Sequence, residues 1–130
     1  NVMYKLIEEA TRLAGDVDIE ILDLHDKTKL DSPSGTAKEI GEIVANTRDV
    51  ELHDINRYGR EGRCPREHGE VAFHSIRGGD ISSSHIAYFI GLGERLEIAH
   101  HSQSFKCFAE GAVFLSNQPI GSYTVQDCFG

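Results

Sequence analysis

Apolar side chains recur at Met3, Leu6, Ile7, Ala10, Leu13 and Ala14. That i, i+3, i+4, i+7 spacing predicts a helix over residues 2–14 with one buried face, ended by Gly15-Asp16. The pattern then switches to period two. Over residues 18–25, Ile19, Ile21, Asp23 and His25 fall on one face of a strand, and Glu20, Leu22 and Leu24 on the other. A polar loop covers 26–31. Residues 32–46 return to helical spacing, with Ala37, Ile40 and Val44 inward, Ser32 as the N-cap and Pro33 in the first helical position.

Residues 53–69 are rich in Gly, Arg and His and have no period, which predicts a long loop. Residues 70–77, 84–90 and 94–100 alternate as strands. Gly78-Gly79-Asp80 and Gly91-Leu92-Gly93 supply turns, and the last two strands are close enough for a hairpin. Phe105, Phe108, Ala109, Ala112 and Val113 predict a final helix over 104–116, and the tail 117–130 reads as irregular. The expected architecture is α+β: one domain, 1–130, with a mixed sheet of about four strands and helices packed on one face. The other sheet face would need cover, so oligomerisation through it is expected.

Composition changes this picture little. The 130 residues are 39% hydrophobic and 26% charged, as in a folded soluble domain. A net charge of −8 argues against a nucleic acid or an anionic membrane as main partner. No apolar run reaches the roughly 18 residues of a membrane span, and no signal peptide is recognisable. The three cysteines are widely spaced, which predicts reduced thiols in a cytoplasmic protein. His and Cys show no paired-ligand spacing, so a metal is not expected. An opening Asn1 rather than Met predicts a piece of a larger protein.

The candidate chemistry lies in His25-Asp26-Lys27-Thr28-Lys29-Leu30-Asp31-Ser32-Pro33-Ser34-Gly35-Thr36-Ala37. The backbone N–H groups of Ser34, Gly35 and Thr36 open a helix, lack intrahelical acceptors and lie at its positive dipole end. Gly35 allows close approach, and Ser34 and Thr36 add hydroxyls. This suits a carboxylate or phosphate. His25 at a strand end and Lys29 in the loop could bind, polarise and protonate such an anion. Each feature alone is more often structural: a capped helix, a backbone-bonded histidine, a solvated lysine. Arg57, Arg60, Arg63 and Arg66 are read as a solvated loop. Ser34 as a hydrolase nucleophile is disfavoured, because there is no G-x-S-x-G.

The same stretch resembles the signature E-x-H-H-x-x-K-x-D-x-P-S-G-T-A of the dihydrodipicolinate reductase family. The resemblance extends through Arg60-Glu61-Gly62, Arg77-Gly78-Gly79-Asp80-Ile81, His85, Gly93-Glu94-Arg95-Leu96-Glu97-Ile98 and Phe108-Ala109-Glu110-Gly111-Ala112. It implies a C-terminal substrate-binding and tetramerisation domain of glyceraldehyde-3-phosphate-dehydrogenase-like fold. It further implies a nicotinamide-dependent reduction of a cyclic dicarboxylate in diaminopimelate and lysine biosynthesis. NADH or NADPH would be bound by an N-terminal Rossmann domain absent here, so the isolated chain is expected to be inactive and its cofactor-binding residues are unassigned. Gly91-Leu92-Gly93-Glu94-Arg95-Leu96 lacks the third glycine of a dinucleotide fingerprint.

The resemblance places the active-site histidine at His25, the proton-supplying lysine at Lys29, and the carboxylate holders at Ser34, Gly35 and Thr36. Two positions depart from the pattern. Asp26 stands where a second histidine is usual, and Phe105 where an arginine is usual. Both remove positive character from a dianion pocket; Lys27, Lys106 or His101 are the candidate substitutes. The competing readings are a diverged paralogue for a related cyclic imine carboxylate and a non-catalytic assembly module.

Overall fold

The computed structural model describes residues 1–117 and 121, leaving aside the side chains of 111, 114 and 115. In chain order the elements are α1 (Val2–Ala14), β1 (Asp18–His25), α2 (Gly35–Thr47), α3 (Leu52–Ile55), β2 (Asn56–Tyr58), β3 (Val71–Arg77), β4 (Ser83–Ile90), β5 (Arg95–Ser102) and α4 (Lys106–Ser116). The expected irregular tail falls almost wholly outside the described residues.

The sheet has five strands in the order β2-β3-β1-β4-β5. β1 is the central strand, parallel to β3 and antiparallel to β4. β4 and β5 form the expected hairpin, closed by residues 91–94. The mixed α+β class therefore holds, with one strand more than expected. The extra strand is β2, which lies in the stretch read as loop and pairs in parallel with β3 from Asn56↔Val71 to Tyr58↔Phe73. Three residues are too few to display an alternation, and backbone pairing with a neighbour decides them.

Period two fixes which side of β1 is covered. Ile19, Ile21, Asp23 and His25 are buried beneath the helices, while Glu20, Leu22 and Leu24 are half-buried on the opposite face. α1 adds Met3 and Ile7 to the core; α2 adds Ala37, Ile40, Val44 and Ala45; the strands add Val71, Phe73, Ala87 and Phe89. On the far face Leu22, Leu24, Ile86 and Tyr88 are only partly covered and Ile76 is 46% exposed.

α2 approaches the sheet closely at Gly41. A Cβ built there would sit 2.5 Å from Phe73 Cζ and 3.3 Å from Leu52 Cδ1. Gly41→Ala should therefore destabilise the domain by about 1–3 kcal/mol through overpacking, despite alanine's better helix propensity. A denaturant midpoint equal to or above that of the parent chain would show that Phe73 simply moves aside.

The arginine-rich stretch is not a solvated loop. Arg57 donates from Nε to Glu70 Oε2 at 3.0 Å. Arg60 bridges Glu20 Oε1 at 2.7 Å and Glu70, and Arg66 pairs with Asp18 at 2.8 Å and with Glu20. Glu70 is buried and Glu20 projects from β1, so this network fastens residues 59–70 to the sheet. Arg63 is exposed and takes no part in the ion pairs that hold the other three.

Candidate functional site

Strand register brings the polar side chains together. Asp23 lies opposite His85 on β4, and His25 lies opposite Arg77 on β3, all on the helix-covered face. α2 begins beside them. Its cap is Ser34, not the expected Ser32: Ser34 is extended (φ −65°, ψ 161°) and its Oγ accepts the Ala37 N–H at 3.2 Å. Pro33 is buried just before the helix, after a cis Ser32–Pro33 peptide bond.

The expected trio of free amides is corrected as well. The Ser34 N–H donates to Asp23 Oδ2 at 2.8 Å, so a buried carboxylate already holds it. Gly35 and Thr36 remain as helix-start amides without intrahelical acceptors. A Cβ at Gly35 would meet nothing within 4 Å, so space is open above the helix start.

Asp23 is 1% exposed. Arg77 donates to both of its oxygens, Nη1 to Oδ1 at 3.2 Å and Nη2 to Oδ2 at 3.3 Å. The same Nη2 donates to the Asp31 carbonyl at 2.9 Å. Burial alone would push the Asp23 carboxyl up. Hydrogen bonds from Ser75, Arg77 and Ser34 together outweigh it and hold the group at about 2.

Two imidazoles complete the cluster, with ring centroids 5.2 Å apart and planes at 70°. His85 Nε2 and Ser34 Oγ share a hydrogen bond of 2.9 Å. Burial pushes His85 down to about 4, with His25 adding to the shift and Asp23 opposing it. His25 is also lowered, by burial first, with Asp23 opposing and Arg77 and Lys29 assisting. Both rings are therefore neutral at pH 7. His25 Nδ1 is buried without a hydrogen-bond partner, 3.6 Å from Asp23 Oδ2.

Lys29 Nζ lies 2.6 Å from Asp31 Oδ1, at the half-buried mouth of the loop. Asp26 does not reach back into the cluster. Its Oδ1 accepts the Thr28 N–H at 2.7 Å and the Thr28 hydroxyl, which hold its carboxyl below the usual range. Of the candidate substitutes for the usual arginine, His101 shares a hydrogen bond with Ser84 (2.9 Å) on the open sheet face, and Lys106 pairs with Glu110 at 3.7 Å. Phe105 is 69% exposed. His100, opposite His85 in the β4–β5 register, is the basic β5 residue on the site's own face. Lys27 is exposed.

By distance, Asp23, His25 and His85 offer ligand atoms within 4.8 Å of one another, enough for a metal ion. Their surroundings do not fit one. Arg77 already occupies both carboxylate oxygens, and a dication would join its guanidinium and the Lys29 ammonium. A dinucleotide cradle does not fit either. Gly91-Leu92-Gly93 closes the β4–β5 hairpin rather than leading a strand into a helix. A separate groove of about 310 Å³, lined by Tyr4, Ile43, Asn46 and Thr47 among others, contains none of the residues expected to carry chemistry.

The structure places His25 and Ser34 in one cluster with Asp23 and His85, Gly35 and Thr36 follow Ser34 along α2, and Lys29 pairs with Asp31 in the loop between. Sequence reasoning assigned no role to Asp23, Arg77 or His85. A charged residue on the apolar face of a strand was a legible signal for Asp23; the other two needed the register.

Comparison with known proteins identifies the family. The family described as "Dihydrodipicolinate reductase, C-terminus" matches residues 1–129. The 4-hydroxy-tetrahydrodipicolinate reductases of Syntrophotalea carbinolica and Nitrosospira multiformis are each 44% identical over the whole chain. The chain spans 51% of the length of these curated relatives. Among solved structures, a dipicolinate-bound dihydrodipicolinate reductase from Paenisporosarcina sp. TG-14 superimposes with a TM-score of 0.66 at 25% identity, covering 90% of this chain and 44% of that one. With the match running nearly end to end, the chain belongs to the dihydrodipicolinate reductase family and corresponds to its C-terminal part.

Proposed function

We propose that this chain is the substrate-binding and assembly domain of a nicotinamide-dependent reductase acting on 4-hydroxy-tetrahydrodipicolinate. The observation that carries the reading is the start of α2, where Ser34 is bonded to Asp23 and His85 and the space around the Gly35 Cα is open, with no atom within 4 Å of a Cβ built there. The dipicolinate held by the solved relative is a planar dicarboxylate of the right class. In this reading Gly35, Thr36 and the Ser34 turn hold one substrate carboxylate. Neutral His25 hydrogen-bonds the substrate, and Lys29 delivers the proton that accompanies hydride addition. Asp26, kept ionised by Thr28, sits at the rim and limits how much negative charge the pocket accepts. NADH or NADPH supplies the hydride, held by a preceding dinucleotide-binding domain. The protein works in the cytoplasm.

The open sheet face supports a homotetramer. Leu22, Leu24, Ile76, Ile86 and Tyr88 form a half-covered apolar surface of the kind a second copy buries.

Titrating the chain with dipicolinate while following backbone amides tests the reading. Saturable shifts should centre on Gly35 and Thr36, with Ser34 moving less because Asp23 already holds its N–H. Shifts confined to other regions at millimolar ligand would remove the α2 start from the substrate site.

A further inference from the structure

We propose that Asp23 is a positioning residue, whose buried carboxylate turns the start of α2 toward the substrate and fixes the orientation and tautomer of His25. The inference rests on the reading of His25, Gly35 and Thr36 as the substrate site. It extends to a residue that touches no ligand itself.

A carboxylate at a position that alternates with Ile19 and Ile21 on a covered face is costly unless every lone pair finds a partner. An apolar side chain would satisfy the core at no such cost. Asp23 instead spends both oxygens on groups that shape the site. Oδ2 removes the Ser34 N–H from the set of helix-start donors, so the first amides free for a ligand are those of Gly35 and Thr36. Arg77, bonded to both oxygens, also ties the Asp31 carbonyl, so the loop carrying Lys29 is fastened to the same carboxylate.

The third consequence concerns His25. Its Nδ1 is buried, lacks a hydrogen-bond partner and lies 3.6 Å from Oδ2. The negative oxygen favours a proton on Nδ1, which leaves Nε2 as the acceptor nitrogen of the neutral ring. The charged and titratable groups around His25 are Asp23 on its own strand, Arg77 on β3, Asp26, Lys29 and Asp31 in the loop, and His85 on β4. Among these only Asp23 presents an anionic oxygen to Nδ1 in the ion-pair geometry found.

Ring ¹⁵N shifts of His25 in the unmodified chain give the first test. A ring protonated at Nδ1 is expected at pH 7; a ring protonated at Nε2 overturns the proposal without any variant. Asp23→Asn then keeps the shape and removes the charge. It should convert His25 to a tautomer mixture, lower its midpoint of titration, and weaken dipicolinate at Gly35 and Thr36 at least tenfold. Asp23→Glu should restore most of both signals, which a purely structural role would not predict. A folded Asn variant with wild-type ring shifts and dipicolinate affinity within twofold sinks the proposal, and so does a Glu variant no better than Asn. If the parent chain binds no dipicolinate at Gly35 and Thr36, the substrate reading fails instead, and the ring shifts still decide the role of Asp23.

Discussion

Replacing Lys29 with alanine should cut the turnover of the reductase carrying this chain by about two to four decades, the usual contribution of a positioned general acid. The affinity for dipicolinate should change far less. The difference follows from where the ammonium sits. Lys29 Nζ is 2.6 Å from Asp31 Oδ1, and Asp31 is held below its ordinary range by that contact. The contact fixes the ammonium in the loop between β1 and α2, apart from the backbone amides proposed to hold the carboxylate. A donor used only as the proton moves lowers kcat when removed; a group that merely attracts the anion raises KM. A Lys29→Ala enzyme with kcat within threefold of the parent would reduce Lys29 to a loop anchor. One with unchanged kcat and a large rise in KM would make it an electrostatic ligand. Lys29→Arg separates charge from proton supply, since guanidinium keeps the charge and does not give up its proton.

The Asp31 carbonyl adds a constraint. It accepts from Arg77, so the loop is held at its backbone as well as by the Lys29 pair. Removing Lys29 therefore deletes the proposed proton donor while Arg77 still braces the loop, which makes the substitution a clean test of chemistry.

Much of this arrangement was legible because the local signals were strong and agreed with tertiary contacts. The stripe from Met3 to Ala14 and the alternation of 18–25 coincide with α1 and β1 to the residue. The hairpin of β4 and β5 followed from two alternating runs around a glycine turn. The start of α2 was misplaced by two residues for a physical reason. Ser32-Pro33 is a sound cap-and-first-turn pair by local rules. The partner that overrides it is Asp23, eleven residues back in sequence and adjacent in space. The arginine network was hidden for the same reason: Arg60 meets a glutamate forty residues away on β1, a pairing no window of sequence contains. The site divides along this line. His25, Lys29, Gly35 and Thr36 lie in one short segment, so a single window of sequence contains them all. Arg77 and His85 join them only through the register of β3 and β4 on β1.

The buried neutral histidine makes the domain acid-sensitive at unusually mild pH. His85 has its ordinary value of 6.5 when unfolded and about 4 when folded. Between those values the unfolded chain binds a proton that the folded chain excludes. Stability therefore rises with pH across that window and is flat above it. Lowering the pH from 7 to 5 should cost about 2 kcal/mol from His85, with the lowered His25 acting in the same direction. For a domain of this size that is a fall in Tm of roughly 5–10 °C. Asp23 extends the trend lower. Its carboxyl is depressed from 3.8 to about 2, so its contribution is present above 3.8 and is lost as pH falls toward 2. His85→Gln keeps a polar partner for Ser34 and removes the titration. It should flatten the Tm profile between pH 7 and 5 even if it lowers Tm throughout. An unchanged slope in that variant would mean that the fold does not lower His85, so that the ring is protonated in the fold below its ordinary value of 6.5. The Ser34 hydroxyl would then accept from a charged ring, and the helix start would be one positive charge richer toward a dicarboxylate.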